Sequence, residues 1–573
     1  MTADTPGRSG RRQWAQAAWL LAGLAFAALW IWRSMAPALD AGVIQDDARQ
    51  HVFWMQRLID PSILRNDLFA DYFASQAPPG YVLLYRVLLL LVDPQTASKL
   101  LPPVLGLAAA AFTFLLAARL YPSQPAAFLA SVIGSWYVWQ YDDLATGSPR
   151  AFLLPLTTIL LYGLVAGWRW WLLVGVVALQ AALYPSAAAL GVVLVWVRLV
   201  RLDRWPPRLS LDRQAWLGAI GAGIAALLLL APAVLGGSEF GPTVTAAVAR
   251  EMPEFGPNGR NAFFVPDAYE YWIVSYRSGF DLRVSDPVTG GIPIFYELLA
   301  LAMLLPAAAL VRRGWPAGMA GQTAPLAPVA LLVIQVITAS MALFLAAHLL
   351  LFRLYLPARF VAWSVPLGLS LAAGVGLAAL LTSIARRVAG NRAELLVGAT
   401  SVLLACGLAV YPARYDGNFV RDRMPAVTEY LNSLPVDSLV VGVPTETDSV
   451  PAFSGRRVLT NREYALAYHL GYYAQVKERT LAVINAYYSD SPRALTDLAD
   501  RYGVDVFLVN RAAFAPETVA DAWAGSFAPY SSLASERVAR GRQFALLELV
   551  RRCGVVTDGD VTAIPVACIA AQR

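Results

Sequence analysis

The chain has 573 residues, of which 58% are hydrophobic and only 15% charged. A soluble domain carries about a quarter charged residues, so an ordinary globular enzyme is excluded and a polytopic membrane protein is indicated. The net charge of +6 comes from Lys and Arg spread through short loops between apolar runs, which is a positive-inside orientation signal and not a nucleic-acid surface.

Arg8, Arg11 and Arg12 precede an uncharged run from Trp14 to Trp32. It exceeds a normal signal-peptide core and reads as an uncleaved first span with a cytoplasmic N-terminus; the alternative, cleavage near Ala36-Pro37-Ala38, also leaves the next segment of chain outside. About eleven spans are predicted, near residues 14–33, 99–119, 124–141, 150–167, 169–184, 186–201, 215–236, 293–311, 326–351, 359–382 and 394–412. Three basic clusters fix the cytoplasmic side: Arg198 to Arg213, Arg312-Arg313, and Arg386-Arg387-Arg392. The apolar run 81–92 is short and has Arg86 in its middle. As a juxtamembrane helix partly inserted from outside, it keeps this parity consistent.

Four segments then face outward: the loop 34–98, the turn 141–149, the long loop 237–292, and everything after 413. In the tail, β-type runs at 438–443, 457–460, 504–509 and 544–549 alternate with helical runs at 424–434, 464–487 and 492–502. The expected organisation is an α-helical membrane domain over 1–412 and an extracytoplasmic α/β domain over 413–573. Of three cysteines, Cys406 lies in an apolar run, which leaves Cys553 and Cys568 to bridge across the turn residues Gly554 and Asp558-Gly559-Asp560. Two buried thiols are the alternative.

Candidate chemistry collects at the outer ends of spans. Asp46 and Asp47 follow the first span; one carboxylate there can take a proton from an attacking hydroxyl while the other tunes it or holds a divalent cation. In an extended segment the two side chains would point to opposite faces, and a solvated loop or a helix N-cap is the structural alternative. Asp142 and Asp143 end the third span, with Pro149 and Arg150 opening the next. The acids either cap that helix or join the site, and Arg150 either anchors it or contacts an anion.

Arg353 and Arg359 bracket an outer turn where positive charge should be depleted. Guanidinium forks there suit a phosphate, the alternative being an ion pair with an outer acid. His51, His348 and His469 form no metal-binding spacing, although His51 lies near the first acidic pair. No GxxxxGK[ST], HExxH or GxSxG pattern occurs, so ATP-driven transport and common hydrolase mechanisms lack support. Gly218, Gly221 and Gly223 are read as helix-packing residues.

An acidic pair in the first outer loop, an apolar helix opening at Pro78-Pro79-Gly80-Tyr81, a second acidic site after the third span, about eleven spans and an outer C-terminal domain together resemble the GT-C glycosyltransferases. That superfamily includes the protein mannosyltransferases, aminoarabinose transferases and oligosaccharyltransferases. The resemblance covers residues 1–412 and implies inverting transfer of a sugar from a polyprenyl-phosphate donor to a glycan, lipid or protein acceptor, in cell-envelope glycan biosynthesis. By position, Asp46 matches the base or acceptor-orienting acid and Asp47 the second acid of that motif. Asp142 or Asp143, with His51 nearby, matches the acceptor or metal site, and Arg353, Arg359 and Arg150 match arginines that hold the lipid phosphate. The resemblance leaves the cofactor unknown, a divalent cation such as Mg²⁺ or Mn²⁺ being one option. The tail motif Trp-Trp-Asp-Tyr-Gly of oligosaccharyltransferases is absent, which counts against protein N-glycosylation. The rival readings are a secondary transporter, which would place its charges near the bilayer midplane, and a non-catalytic scaffold or sensor of the same fold.

Overall fold

Apolar runs become helices at each expected span position that the structure describes. The computed structural model describes residues 6–141, 143–201, 207–235, 237–281, 326–411, 418–541 and 543–572. Asp142, Arg204, Arg312, Arg313 and the span expected at 293–311 therefore lie outside the described residues. The long helices are α1 (Pro6–Met35), then, after three short helices of the first loop, α5 (Pro94–Leu120), α6 (Gln124–Val138), α7 (Leu153–Ala166), α8 (Trp170–Leu183), α9 (Pro185–Val197) and α10 (Arg213–Leu235). After α11 (Ala246–Glu251) come α12 (Ala327–Leu349), α13 (Ser364–Ala389) and α14 (Ala393–Val410).

Among the described residues, six helical stretches are long and apolar enough to cross a bilayer, the last of them, Pro357–Val410, running through both α13 and α14. Helices α6, α8 and α9 are shorter, at 15, 14 and 13 residues, or roughly 20 Å each against a hydrocarbon core of about 30 Å. Close packing holds the bundle. A Cβ at Gly374 of α13 would meet the Ala130 backbone of α6, and one at Gly221 of α10 would stand 2.8 Å from Val174 of α8, so glycine lets these helices touch.

The first loop folds into α2 (Asp46–His51), α3 (Leu68–Gln76) and α4 (Pro79–Leu88). Helix α4 rises only about 15 Å and does not cross the bundle. Its Tyr81 and Tyr85, one turn apart, are both fully buried and donate to the carbonyl of Gly147 at 3.1 and 2.9 Å. Gly147 sits at φ +59° with Ser98 backbone against its α-carbon, so a side chain there would both strain the turn and collide. The other face of α4 leaves Leu83 and Val87 exposed.

The tail builds a five-stranded sheet in the order β6-β5-β7-β9-β8, from β5 (Leu439–Val441), β6 (Arg457–Val458), β7 (Val506–Asn510), β8 (Val556–Asp558) and β9 (Val561–Pro565). Strand β5 pairs in parallel with β6 and β7; β9 is antiparallel to β7 and β8. The run 544–549, expected as a strand, is instead the start of the helix Ala545–Cys553. Its buried residues Leu546, Leu549, Val550 and Cys553 repeat at the helical period of 3.6. The expected helix over 464–487 begins only at Leu470.

Tail and first loop share a core. Strand β1 (Val43–Gln45) pairs antiparallel with β4 (Phe419–Arg421). Phe53 stacks on Tyr464 at 4.3 Å and Tyr72 on Tyr472 at 3.6 Å.

Cys553 and Cys568 form a disulfide with Cα atoms 5.7 Å apart, across the β8–β9 hairpin whose turn places Gly559 at φ +56°. The closed segment spans 15 residues, a loop worth about 3 kcal/mol. Non-reducing peptide mapping should recover the linked pair, and Cys553→Ser with Cys568→Ser should lower unfolding stability by about that amount. Full alkylation of both thiols without reductant would rule the bridge out.

Candidate active site

The acidic pair opens a helix and does not lie in an extended strand. Gln45, not an aspartate, caps α2: its side-chain oxygen accepts the backbone N–H groups of Asp47 and Ala48 at 2.8 and 3.1 Å. Asp46 and Asp47 therefore diverge by about 100°, the step of a helix, and each finds a different arginine.

Asp46 Oδ1 is 2.5 Å from Arg49 Nη2, one turn later on the same helix. The same Nη2 lies 3.3 Å from Glu463 of the tail. Glu463 is buried, and Arg260 of the long loop meets it at 2.5 Å while Arg462 stands at 3.8 Å. Gln50 donates to the Glu463 carbonyl at 2.7 Å, and Tyr464 donates to the Arg49 carbonyl at 3.0 Å. The peptide nitrogens of Arg462 and Glu463 are held by Asp448 at 2.7 and 3.2 Å.

Two carboxylates thus share Arg49, Asp46 at the shorter distance and Glu463 the more deeply buried. Burial and the Glu463 charge push the Asp46 carboxyl up to about 7, with Arg49 opposing. Glu463 itself is lowered, because Arg260, Arg49 and Arg462 together outweigh the burial that would raise it.

Asp47 faces a different set. Arg150, in the turn Pro149–Phe152 that leads into α7, reaches Asp47 at 2.7 Å and Asp143 at 3.1 Å. Burial would raise the Asp47 carboxyl, yet Arg150, His51 and Arg359 prevail and it is lowered. His51 is held below its ordinary value by burial and by the two arginines, against the pull of Asp47, so the neutral imidazole is favoured beside an anionic Asp47.

Arg359 lies in the turn Pro357–Phe360 after α12. Its guanidinium carbon is 5.3 Å from the Trp363 ring, and its Nε is buried without a hydrogen-bond partner among the described residues. Arg353 does not join it. That residue is exposed, and its side chain makes no hydrogen bond or ion pair among the described residues. Phe352 and Tyr355 at φ +68° and +64° reverse the chain around it. His348 packs on Trp272 at 4.9 Å, and His469 bonds the Tyr72 hydroxyl at 2.9 Å; neither touches the acidic pair.

Three contributors are not singled out by the sequence reading: Glu463, Arg260 and Arg277. Arg277 is buried and gives its donors to the hydroxyls of Tyr468 at 3.0 Å and Tyr276 at 3.2 Å and to the Arg260 carbonyl at 3.1 Å. Its own carbonyl accepts the Ala358 N–H at 3.2 Å, which ties it to the Arg359 turn. Tyr276 is half exposed beside them; burial would raise its hydroxyl, but Arg277, Arg260 and Arg359 bring it down. The one available hint for the two arginines is that both stand in an outer loop where positive-inside predicts depletion, the same signal that singles out Arg353 and Arg359.

Among the described residues no three His, Cys, Asp or Glu side chains converge on one point. Asp47 and Asp143, on either side of Arg150, are hard oxygen donors of the kind Mg²⁺ or Mn²⁺ takes.

No family model matches the chain, and no curated protein does. Solved structures do. The archaeal oligosaccharyltransferase AglB from Archaeoglobus fulgidus, in complex with an inhibitory peptide and a dolichol-phosphate, aligns at TM-score 0.50 and 12% identity over 90% of this chain and 72% of its own. The chain shares the overall fold of that protein. The same oligosaccharyltransferase tethered to an acceptor peptide aligns at TM-score 0.48 and 11% identity over 91% of this chain and 72% of its own. The arabinofuranosyltransferase AftD from Mycobacteria aligns at 0.44 and 16% over 86% of this chain and 36% of its own. The chain itself is a polytopic, largely helical membrane protein with a sheet-containing C-terminal region.

Proposed function

We propose that the protein is an inverting membrane glycosyltransferase working at the extracytoplasmic face, with a polyprenyl-phosphate sugar as donor and a hydroxyl-bearing glycan, lipid or protein as acceptor. The observation that carries the reading is the division of the acidic pair between two sets of partners: Asp46 shares Arg49 with the buried Glu463, and burial with the Glu463 charge pushes its carboxyl up to about 7, while Asp47 is paired with Arg150 and is lowered. A carboxylate poised near working pH is the group a general base needs, and the second remains a fixed charge.

In this scheme the acceptor oxygen attacks the anomeric carbon, its proton passes to Asp46, and the bond from that carbon to the phosphate oxygen breaks. The lipid phosphate leaves as an anion. Arg359, with its unpartnered Nε, and the neighbouring Arg277 provide positive charge for it. Arg150 orders the acids, since it is engaged with Asp47 and Asp143. A divalent cation held by those two carboxylates in exchange for Arg150 would add Lewis-acid neutralisation of the phosphate. A transporter fits less well, because Asp46 and Asp47 lie in a loop after α1 and not in a broken helix within the bundle.

Purified protein incubated with a panel of polyprenyl-phosphate sugars should consume one of them, releasing lipid phosphate and a glycosylated or hydrolysed product. Consumption of none, together with ion-coupled uptake in vesicles, would replace this reading with the transporter. The proposed orientation has its own test. In a Cys406→Ser background, a cysteine at exposed Ser62 should react with an impermeant thiol reagent from outside, and one at exposed Arg208 should react only after permeabilisation. The reverse pattern would invert the topology.

A further inference from the structure

Helix α7 and the turn before it run from the acidic site to the far end of the bundle, Pro149–Ala166, a rise of about 27 Å or nearly one bilayer core. At that far end the turn from α7 to α8, the end of α9, the start of α10 and the first turns of α12 enclose a cavity of about 960 Å³. Its size is at the upper end of small-molecule sites. In the proposed orientation it opens at the cytoplasmic face.

The lining is chemically lopsided. Among the described residues, Arg169, Arg198 and Arg201 face the cavity against one acid, Asp212. Asp212 is engaged with the peptide N–H of Gln214 at 3.0 Å, and no carboxylate approaches any of the three arginines within 4 Å among the described residues. Arg198 is the telling one. It is part-buried, and among the described residues its partner is a neutral amide, Gln335 Oε1 at 3.0 Å. A guanidinium drawn in from solvent without a counter-charge leaves an anion-shaped vacancy in the electrostatics. Trp170 and Trp171 stand at the same rim, and Leu164, Leu173 and Leu331 continue the wall toward the bundle.

Arginines alone at a cytoplasmic face would be ordinary topology signals, solvated or snorkelling among headgroups. A concave site between helices that pairs guanidinium forks with an apolar wall and interfacial indoles is different. It matches an anionic headgroup whose acyl chains stay in the bilayer. We propose that this cavity binds the phosphate of an anionic phospholipid, at a site a bilayer's width from the sugar-transfer site and independent of it.

The full-length protein in detergent should be titrated with phosphatidylglycerol and with phosphatidylcholine and read by native mass spectrometry. Phosphatidylglycerol should be retained and phosphatidylcholine not. The triple variant Arg169→Gln, Arg198→Gln, Arg201→Gln should weaken phosphatidylglycerol retention by about tenfold or more. A matched variant of the same face, Arg386→Gln, Arg387→Gln, Arg392→Gln, should leave it unchanged. Equal losses in both variants, or no loss in the first, would overturn the site. Displacement of the lipid by soluble glycerol phosphate at equal concentration would overturn the lipid assignment in favour of a free phosphate ligand. Should the first variant fail to fold, a photoactivatable phosphatidylglycerol on the wild-type protein decides: label within 164–173 or 195–201 supports the site, and label only elsewhere overturns it.

Discussion

Asp46→Asn should lower sugar transfer by about a hundredfold or more while leaving the protein as stable at pH 8 as the wild type, or more so. The substitution keeps size and hydrogen bonding but removes the carboxylate proposed as the base. Its effect on stability follows from the direction of the shift. Asp46 is raised from 3.8 to about 7 by burial and by Glu463, so the folded chain holds that proton more tightly than the unfolded chain. The corresponding stability is fully present below about 3.8 and is lost as pH rises through about 7. Above that, the ionised carboxylate is a burden on the fold that Asn does not carry. Turnover of the wild type should show an acid limb near pH 7 that the variant lacks, and thermal melts at pH 5 and pH 8 should differ more for the wild type. Normal turnover in the variant would take the proton transfer away from Asp46, to Asp47 or Asp142.

The acidic pair is legible in the sequence because charge is scarce in an apolar chain, and adjacent carboxylates after a span stand out. What the pair touches is not legible. Arg49 meets Glu463 across more than four hundred residues of sequence, and Arg260 and Arg277 come from a third segment, so the site exists only once loop, loop and tail share a core. Within one short turn, Arg353 and Arg359 look equivalent, yet the reversal at Phe352 and Tyr355 leaves the first exposed and the second beside Trp363. Local backbone geometry of that kind carries no side-chain signature. The run Ala545 to Leu549 misleads for a different reason. It is apolar enough to suggest a strand, but its residues are strong helix formers, and their burial follows the helical period on into Val550 and Cys553. The strands Val556–Asp558 and Val561–Pro565 do not stand out in the sequence, the first being only three residues long.

Glu463→Gln should cost about 3 kcal/mol of stability near neutral pH and move the acid limb of turnover below pH 7. Gln keeps the shape and the backbone contact with Gln50. It removes the one anion that meets Arg260 at 2.5 Å and shares Arg49 at 3.3 Å, both largely shielded from water. Buried guanidinium groups without that partner are what makes breaking such a pair expensive. Glu463 is a group with a lowered carboxyl in the fold, so its contribution is present above about 4.5 and is lost as pH falls through its folded value. The stability gap between wild type and variant should therefore be widest at pH 7 and close in acid. Arg462→Gln is the control. Its ion pair to Glu463 is long, at 3.8 Å, and its side chain is 24% exposed, so it should change stability by less than about 1 kcal/mol. The shift in turnover has a separate cause: without Glu463, Asp46 loses a repelling neighbour and keeps Arg49 to itself, and both effects bring its carboxyl down. A variant that is destabilised but retains an acid limb at pH 7 would mean that Glu463 holds the tail against the first loop without tuning Asp46. A variant changed in neither would mean that the shared arginine is not the link between them.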